Sequence, residues 1–275
     1  MTQKKQKIVS INNINFSNNR RFVLIAGPCV IESLEHAVNM TGLIKEICKK
    51  FNINFVYKSS FDKANRTSIK SKRGVGLEKS LNIFQELKKL YNCSIITDVH
   101  ESSQCNEVSK FVDILQIPAF LSRQTDLLIS AANTKKAVMV KKGQFSAPWD
   151  MNNIVNKLEA TKCNKILLCE RGASFGYNAL VSDMRAIPIM QKTGYPVIFD
   201  ATHSAQLPGG DKTTGGNRKI IPTIAKAAVA AGCNGLFMEI HDSPHKAKSD
   251  AATQWPLDEL ESLLSIIIKV HEAVK

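Results

Sequence analysis

No apolar run in this chain approaches the roughly 20 residues that a membrane-crossing helix needs, so the sequence offers no transmembrane span. The basic opening, Met1-Thr2-Gln3-Lys4-Lys5-Gln6-Lys7, is followed by neither an apolar stretch nor a small-residue cleavage site, and it does not read as a signal peptide. A cytoplasmic protein is the expectation. The 7 cysteines are odd in number and scattered without close pairs, which fits reduced thiols and excludes a disulfide framework. Cys48, Cys93, Cys163, Cys169 and Cys233 lie in or beside apolar stretches and read as small core residues. No Gly-x-Gly-x-x-Gly turn follows any strand candidate, which weakens a dinucleotide-binding sheet. No linker-like shift in composition divides the 275 residues, and that length fits one large domain.

What is present is an ordinary globular balance, 44% apolar and 22% charged. The net charge of +13 raises the question of nucleic acid. The lysines and arginines are dispersed, however, with no long basic run and no basic patch interleaved with aromatics. Small anionic substrates account for the charge better, and neither nucleic acid nor a membrane is an expected partner.

The stretch Lys7–Phe16 alternates apolar and polar residues around Asn12-Asn13, which predicts an N-terminal hairpin within residues 1–20. Strand and helix patterns then alternate. Strands are expected at 22–26, 53–58, 94–98, 112–116, 137–141, 165–170, 196–200 and 235–239, each a short apolar run. Amphipathic helices are expected at 34–50, 76–91, 102–110, 124–134, 150–160, 178–193, 217–232 and 257–274. Eight strands alternating with eight helices predict an α/β fold, a single (β/α)8 TIM barrel over residues 1–275, with a doubly wound open sheet as the alternative.

Each strand runs out into a residue that a barrel core cannot use: Cys29, Lys58, Asp98, Gln116, Lys141, Arg171, His203 and Glu239. One such residue is usually a solvated loop entry; eight on the rim that holds barrel active sites suggest a site for a multiply anionic substrate. The segment from Tyr57 to Ser68 carries Lys58, Lys63 and Arg66 among several hydroxyls, and Arg171 lies on the glycine-rich Glu170–Tyr177 loop. Arg123 follows the fourth strand. Arginine grips phosphate oxygens as a fork and lysine acts as a point charge, so three separated arginines suggest two anionic groups. Cys29, His203, Glu239 and Asp250 form a mixed thiolate, imidazole and carboxylate set that suits a divalent ion such as Zn2+, Fe2+ or Mn2+. No compact ligand spacing such as His-Glu-x-x-His supports that set, and His100, His241 and His245 remain competitors of His203.

Gly-Pro-Cys-Val-Ile-Glu-Ser (27–33), Lys-Ser-Ser-Phe-Asp-Lys-Ala-Asn-Arg-Thr-Ser (58–68), Thr-Asp-Val-His-Glu (97–101) and Gln-Ile-Pro-Ala-Phe-Leu-Ser-Arg-Gln-Thr-Asp-Leu (116–127) are specific together. With Val-Lys-Lys-Gly-Gln-Phe (140–145), Glu-Arg-Gly-Ala-Ser-Phe-Gly-Tyr (170–177), Phe-Asp-Ala-Thr-His-Ser (199–204) and Gly-Leu-Phe-Met-Glu (235–239), they span nearly the whole chain. The chain resembles the 3-deoxy-D-manno-octulosonate 8-phosphate (KDO-8-phosphate) synthase family, relatives of the DAHP synthases. Ala64-Asn65-Arg66 favours that family, since DAHP synthases usually read Lys-Pro-Arg there.

The resemblance implies a transferase that condenses phosphoenolpyruvate with D-arabinose 5-phosphate and water, a step toward lipopolysaccharide, with erythrose 4-phosphate as the sugar of the alternative DAHP synthase. It implies that Lys58, Lys63, Lys141 and Arg171 hold phosphoenolpyruvate beside Asp98 and Gln116, with Lys142 competing for the role of Lys141. Asn65, Arg66 and Thr67 would receive the sugar phosphate, and Arg123 would reach it from a neighbouring subunit of a homotetramer. The family has a metal-dependent class and a metal-independent class that carries asparagine at the position of Cys29; cysteine here, with His203, Glu239 and Asp250, implies the former. Gln206–Gly210 and Met238–His241 depart from the commoner wording without removing an expected ligand.

Overall fold

Segments such as Val23-Leu24-Ile25-Ala26 have no side that tolerates water, so they form strands only where both faces are covered. The computed structural model describes residues 4–17, 20–66, 68–208 and 215–275, and eight such segments form one closed parallel sheet. The barrel strands are β1 (Val23–Gly27), β2 (Asn54–Lys58), β3 (Ser94–Asp98), β4 (Ile114–Ile117), β5 (Ala137–Lys141), β6 (Ile166–Glu170), β7 (Val197–Asp200) and β8 (Gly235–His241). All their residues are buried except Asn54 at the start of β2, which is half-buried. Closure is direct: β8 pairs with β1, Glu239 opposite Gly27, and β7 pairs with β8, Ile198 opposite Gly235.

Helices α1 (Leu34–Lys50), α2 (Leu77–Tyr91), α3 (Ser102–Ser109), α4 (Thr125–Asn133), α5 (Met151–Ala160), α6 (Ala186–Gln191), α7 (Ile221–Ala230) and α8 (Leu260–Ala273) alternate with the strands. Each buries one stripe; α1 turns Ala37, Met40, Thr41, Ile44 and Cys48 to the sheet, the spacing of one helical face. Ser33 caps α1 by accepting the His36 N–H at 3.1 Å. None of the described helices is long and apolar enough to cross a membrane. The five cysteines assigned to the core are buried, and so are Cys29 and Cys105.

The expected hairpin forms from Val9–Ile11 and Ile14–Phe16. Its apolar side joins the core, and Asn12 donates to Ser94 Oγ at 2.9 Å, at the first residue of β3. The hairpin therefore covers the N-terminal end of the barrel and leaves the opposite rim open.

One element departs from the pattern. The helix expected over 178–193 is reduced to Ala186–Gln191. Asn178 adopts a left-handed φ of 53°, and Leu180-Val181 turn back to pair with Ala173-Ser174. Asp183 then accepts from the backbone N–H of Arg185, a local turn that delays the helix.

Candidate active site

The site begins where β1 ends. At Gly27 a Cβ would stand 2.1 Å from the carbonyl oxygen of Lys58, so only glycine lets these two strand ends run so close. Beyond it the two turns are laced together: Ser60 N donates to Cys29 O at 3.3 Å, Ile31 N to Ser60 O at 3.0 Å and Ser59 Oγ to Pro28 O at 2.8 Å. Cys29 N donates to Gln254 Oε1 at 3.1 Å. The turn that carries the thiol is thus fixed on three sides.

Cys29 Sγ lies 2.9 Å from Ser249 Oγ and 3.5 Å from Asp250 Oδ2. One ligand atom each from Cys29, Glu239 and Asp250 falls within 4.8 Å of the other two. His203 meets this trio at its carboxylates, with Nε2 3.4 Å from Glu239 Oε1 and 3.6 Å from Asp250 Oδ2. Its other nitrogen, Nδ1, is 2.8 Å from Asp200 Oδ2, the carboxylate–imidazole arrangement that orients a metal-ligating histidine. The competing histidines point elsewhere: His100 to Asp98 Oδ2 at 3.1 Å, His241 to Glu32 Oε1 at 3.3 Å, while His245 is exposed.

Above this floor opens a cavity of about 870 Å3, lined among others by Lys58, Lys63, Asn65, Arg66, Asp98, Gln116, Lys141, Arg171, His203 and Asp250. Lys58 Nζ sits between Ser60 Oγ at 2.9 Å, Glu239 Oε1 at 3.5 Å and Asp98 Oδ1 at 3.9 Å. Lys63 Nζ reaches Glu239 Oε1 at 3.4 Å. Lys141 Nζ is paired with Asp200 Oδ2 and lies 3.5 Å from the centre of the Phe237 ring. Arg171 Nη2 donates to Gln206 Oε1 at 3.0 Å, and its Nη1 is buried without a partner. Buried Gln116 Oε1 and Glu239 Oε2 also lack partners.

The electrostatics follow from this crowding. Burial, then the Asp250 and Glu239 carboxylates, push the Cys29 thiol well above its ordinary value, with Lys63 and Lys58 opposing. Burial alone would raise Glu239, but His203, Lys63 and Lys58 outweigh it and hold that carboxyl well below the usual range. Asp200 is treated the same way by His203 and Lys141, and Asp98 by Lys58 and His100, each against burial. Burial and the neighbouring Lys63 lower Lys58. Asp98, Asp200 and Glu239 are favoured as carboxylates and Cys29 as a thiol, and a divalent ion beside the sulfur would favour the thiolate instead.

Lysine 142 is separated from lysine 141 by this geometry. Lys142 Nζ donates to the carbonyls of Gly143, Ser146 and Gly172, at 3.2, 3.1 and 3.3 Å, and stays out of the cavity lining. Arg66 lines the cavity while its Nε and Nη2 donate to the carbonyls of Lys72 and Lys248. Arg123 is exposed and does not line the cavity of its own chain. Thr67 lies outside the described residues.

The sequence reading missed three participants, Asp200, Gln206 and Ser249. Asp200 had a signal: it ends the seventh strand and stands three residues before His203. Gln206 and Ser249 had none, since neutral side chains in loops are common.

The family model described as the DAHP synthetase I family matches residues 3–275. Proteins named 2-dehydro-3-deoxyphosphooctonate aldolase from Brucella ovis, Brucella canis and Brucella anthropi are each 53% identical over 268 residues, covering 97% of this chain and 97% of theirs. This chain belongs to the DAHP synthetase I family.

Proposed function

We infer that this chain is a KDO-8-phosphate synthase, the enzyme also named 2-dehydro-3-deoxyphosphooctonate aldolase: it joins phosphoenolpyruvate to D-arabinose 5-phosphate and releases inorganic phosphate. The observation that carries the reading is one cavity with Lys58, Lys63, Lys141 and Arg171 in its lining and Cys29, Glu239 and Asp250 clustered beneath it. Near-identity of length with relatives of that name, at 53% identity, favours arabinose 5-phosphate over the erythrose 4-phosphate of DAHP synthases.

In the reaction, carbon 3 of the enol attacks the aldehyde, water adds at carbon 2, and the hemiketal phosphate collapses with C–O cleavage. The roles of individual residues are proposals. Arg171, with one guanidinium nitrogen buried and unpartnered, is placed to grip an anionic oxygen of phosphoenolpyruvate. Lys63 and Lys141 supply further fixed positive charge in a largely buried setting, where a preorganised cation is worth most as charge moves from enol to leaving phosphate. Gln116, with an unpartnered Oε1, offers an acceptor to the substrates. Asp98 and His100 form a pair at the cavity wall able to hold or move a proton near the water that adds. Asn65, Arg66 and Thr67 would receive the sugar phosphate.

A divalent ion fits the floor. The unpartnered buried Glu239 Oε2 and the mixed S, N and O donors suit Zn2+, Fe2+ or Mn2+. Cys29, His203, Glu239 and Asp250 would hold it. When bound, such an ion acts as a Lewis acid toward the aldehyde or the attacking water. We further propose a cytoplasmic homotetramer in which exposed Arg123 serves a neighbouring subunit; exposed Phe120 and Trp149 support a covered rim.

The test is direct. Pure protein given phosphoenolpyruvate and arabinose 5-phosphate should release phosphate, and full chelation should stop it. Activity that survives complete chelation would sink the metal assignment, and a sedimentation mass of one chain would sink the tetramer.

A further inference from the structure

A second cluster of metal-ligating side chains stands outside the cavity, where the start of α1 meets the end of β8. Glu32, His36 and His241 each place one ligand atom within 4.8 Å of the other two. Glu32 stands just before the Ser33 cap of α1 and His36 lies in the first turn, so both sit at the start of the helix. His241 is the last residue of β8, and its ring centre lies 4.6 Å from that of His36.

The hydrogen bonding around these rings resembles the outer support of a metal site. Asp242 Oδ1 is 3.1 Å from His36 Nε2 and 2.9 Å from His241 Nδ1. That carboxylate oxygen can take the N–H of His36, which leaves the second nitrogen of that ring as a bare lone pair. His36 Nδ1 is buried with no hydrogen-bond partner. His241 Nε2 faces Glu32 Oε1 at 3.3 Å. The Ser243 N–H lies 2.9 Å from His241 Nδ1 and 3.0 Å from Asp242 Oδ1 and donates to both. With the ring as acceptor there, Nε2 carries a proton toward Glu32. A cation would replace that proton and send the Ser243 N–H to Asp242.

We propose that Glu32, His36 and His241 form a second divalent-metal site, for a borderline ion such as Zn2+, with Asp242 as its orienting carboxylate. Two imidazoles and a carboxylate are a three-ligand set that leaves a position for water. The site contains no sulfur and so differs in donor chemistry from the Cys29 cluster. Lys248 opposes it: its Nζ lies 3.6 Å from Glu32 Oε2, and its backbone N–H donates to Glu32 Oε1 at 3.0 Å. That ammonium is 37% exposed and can turn to water, while the backbone N–H leaves Oε1 a second lone pair. The site shares its segments with the Cys29 cluster, since Glu32 follows Cys29 by three residues and His241 follows Glu239 by two.

Cobalt separates the two sites. Chelator-treated full-length protein is titrated with Co2+ while the spectrum is recorded. Two equivalents should bind, one with a thiolate-to-cobalt charge-transfer band and one with weak ligand-field bands only. His36→Gln and His241→Gln should each lose one equivalent and keep the thiolate band. Asp242→Asn should weaken the second equivalent by roughly ten- to a hundredfold. If His36→Gln and His241→Gln bind as many equivalents as the parent protein, the proposal is overturned. Should His241→Gln unfold, His36→Gln decides alone, because its side chain is partly exposed on the first turn of a helix. A parent protein without a thiolate band would count against the Cys29 assignment, and the histidine-dependent equivalent would still be read.

Discussion

Gln206 Nε2 donates to Asp250 Oδ2 at 3.1 Å, and the same amide accepts from Arg171 Nη2 at 3.0 Å. One neutral side chain thereby ties the arginine proposed for phosphoenolpyruvate to a proposed metal ligand. Hydrogen bonds to charged groups contribute about 1.5–3 kcal/mol, so Gln206→Leu should raise the KM for phosphoenolpyruvate and weaken metal binding, each by roughly tenfold or more. Steady-state kinetics and a metal titration on the same preparation check this. A change in one constant alone would break the proposed link.

Neighbouring lysines should differ in their weight on the reaction. Lys141 faces the cavity, and Asp200 keeps His203 and Thr202 as partners without it. Lys141→Met should lower kcat/KM by about 10^2–10^3, the scale of losing one preorganised charge, and also lower the melting temperature, because buried Asp200 loses its cation. Lys142→Met would strip three buried carbonyls of their donor and Glu170 of its ion-pair partner. A loss of about 3–5 kcal/mol is expected, and a fall in Tm on the order of 10 °C. Kinetics of the pair separate the two roles: the larger fall in kcat/KM belongs to Lys141→Met, and equal falls would contradict the geometry.

Cys29→Asn should remove the thiolate band and one equivalent of metal while the protein stays folded, since asparagine fills a similar volume in the laced turn. A large fall in Tm with metal still bound would contradict the ligand role. In the parent protein the thiol is held protonated by burial and by Asp250 and Glu239, so ion uptake at neutral pH should release a proton. Calorimetric titration in two buffers of different ionisation enthalpy reads that proton, and Cys29→Asn should abolish it.

Acid should weaken the fold in a defined window. Asp98, Asp200 and Glu239 are held below their ordinary values despite burial, by Lys58 and His100, by His203 and Lys141, and by His203, Lys63 and Lys58. A carboxyl with a depressed folded pKa adds stability above its unfolded value, about 4, and loses it as pH falls toward the folded value. The melting temperature of chelated protein should therefore drop steeply below about pH 4, with a shallower drop in Asp200→Asn. A melting temperature that rises on acidification below pH 4 would reverse the assigned signs.

The eight strands were legible because a segment buried on both faces must be apolar throughout, and their observed limits differ from expectation by at most two residues. The helix at 178–193 was misread because Leu180-Val181 spend their apolar side on a two-stranded turn, a tertiary pairing that helical periodicity cannot reveal. The rim residues were visible as chemistry out of place at strand ends. Their pairing was not: nothing in sequence distinguishes Lys141 from Lys142, and strand alternation sends one to the cavity and the other to loop carbonyls. Nor does it distinguish His203 from His241 until β8 extends two residues past Glu239 and turns the latter toward Glu32.

The central claim is the identity of the sugar, and phosphate release measures it. Metal-loaded enzyme is given phosphoenolpyruvate with D-arabinose 5-phosphate in one assay and D-erythrose 4-phosphate in another, at matched concentrations. Faster release with arabinose 5-phosphate, and an eight-carbon 3-deoxy sugar acid phosphate as product, is the predicted result. Faster release with erythrose 4-phosphate would contradict the account.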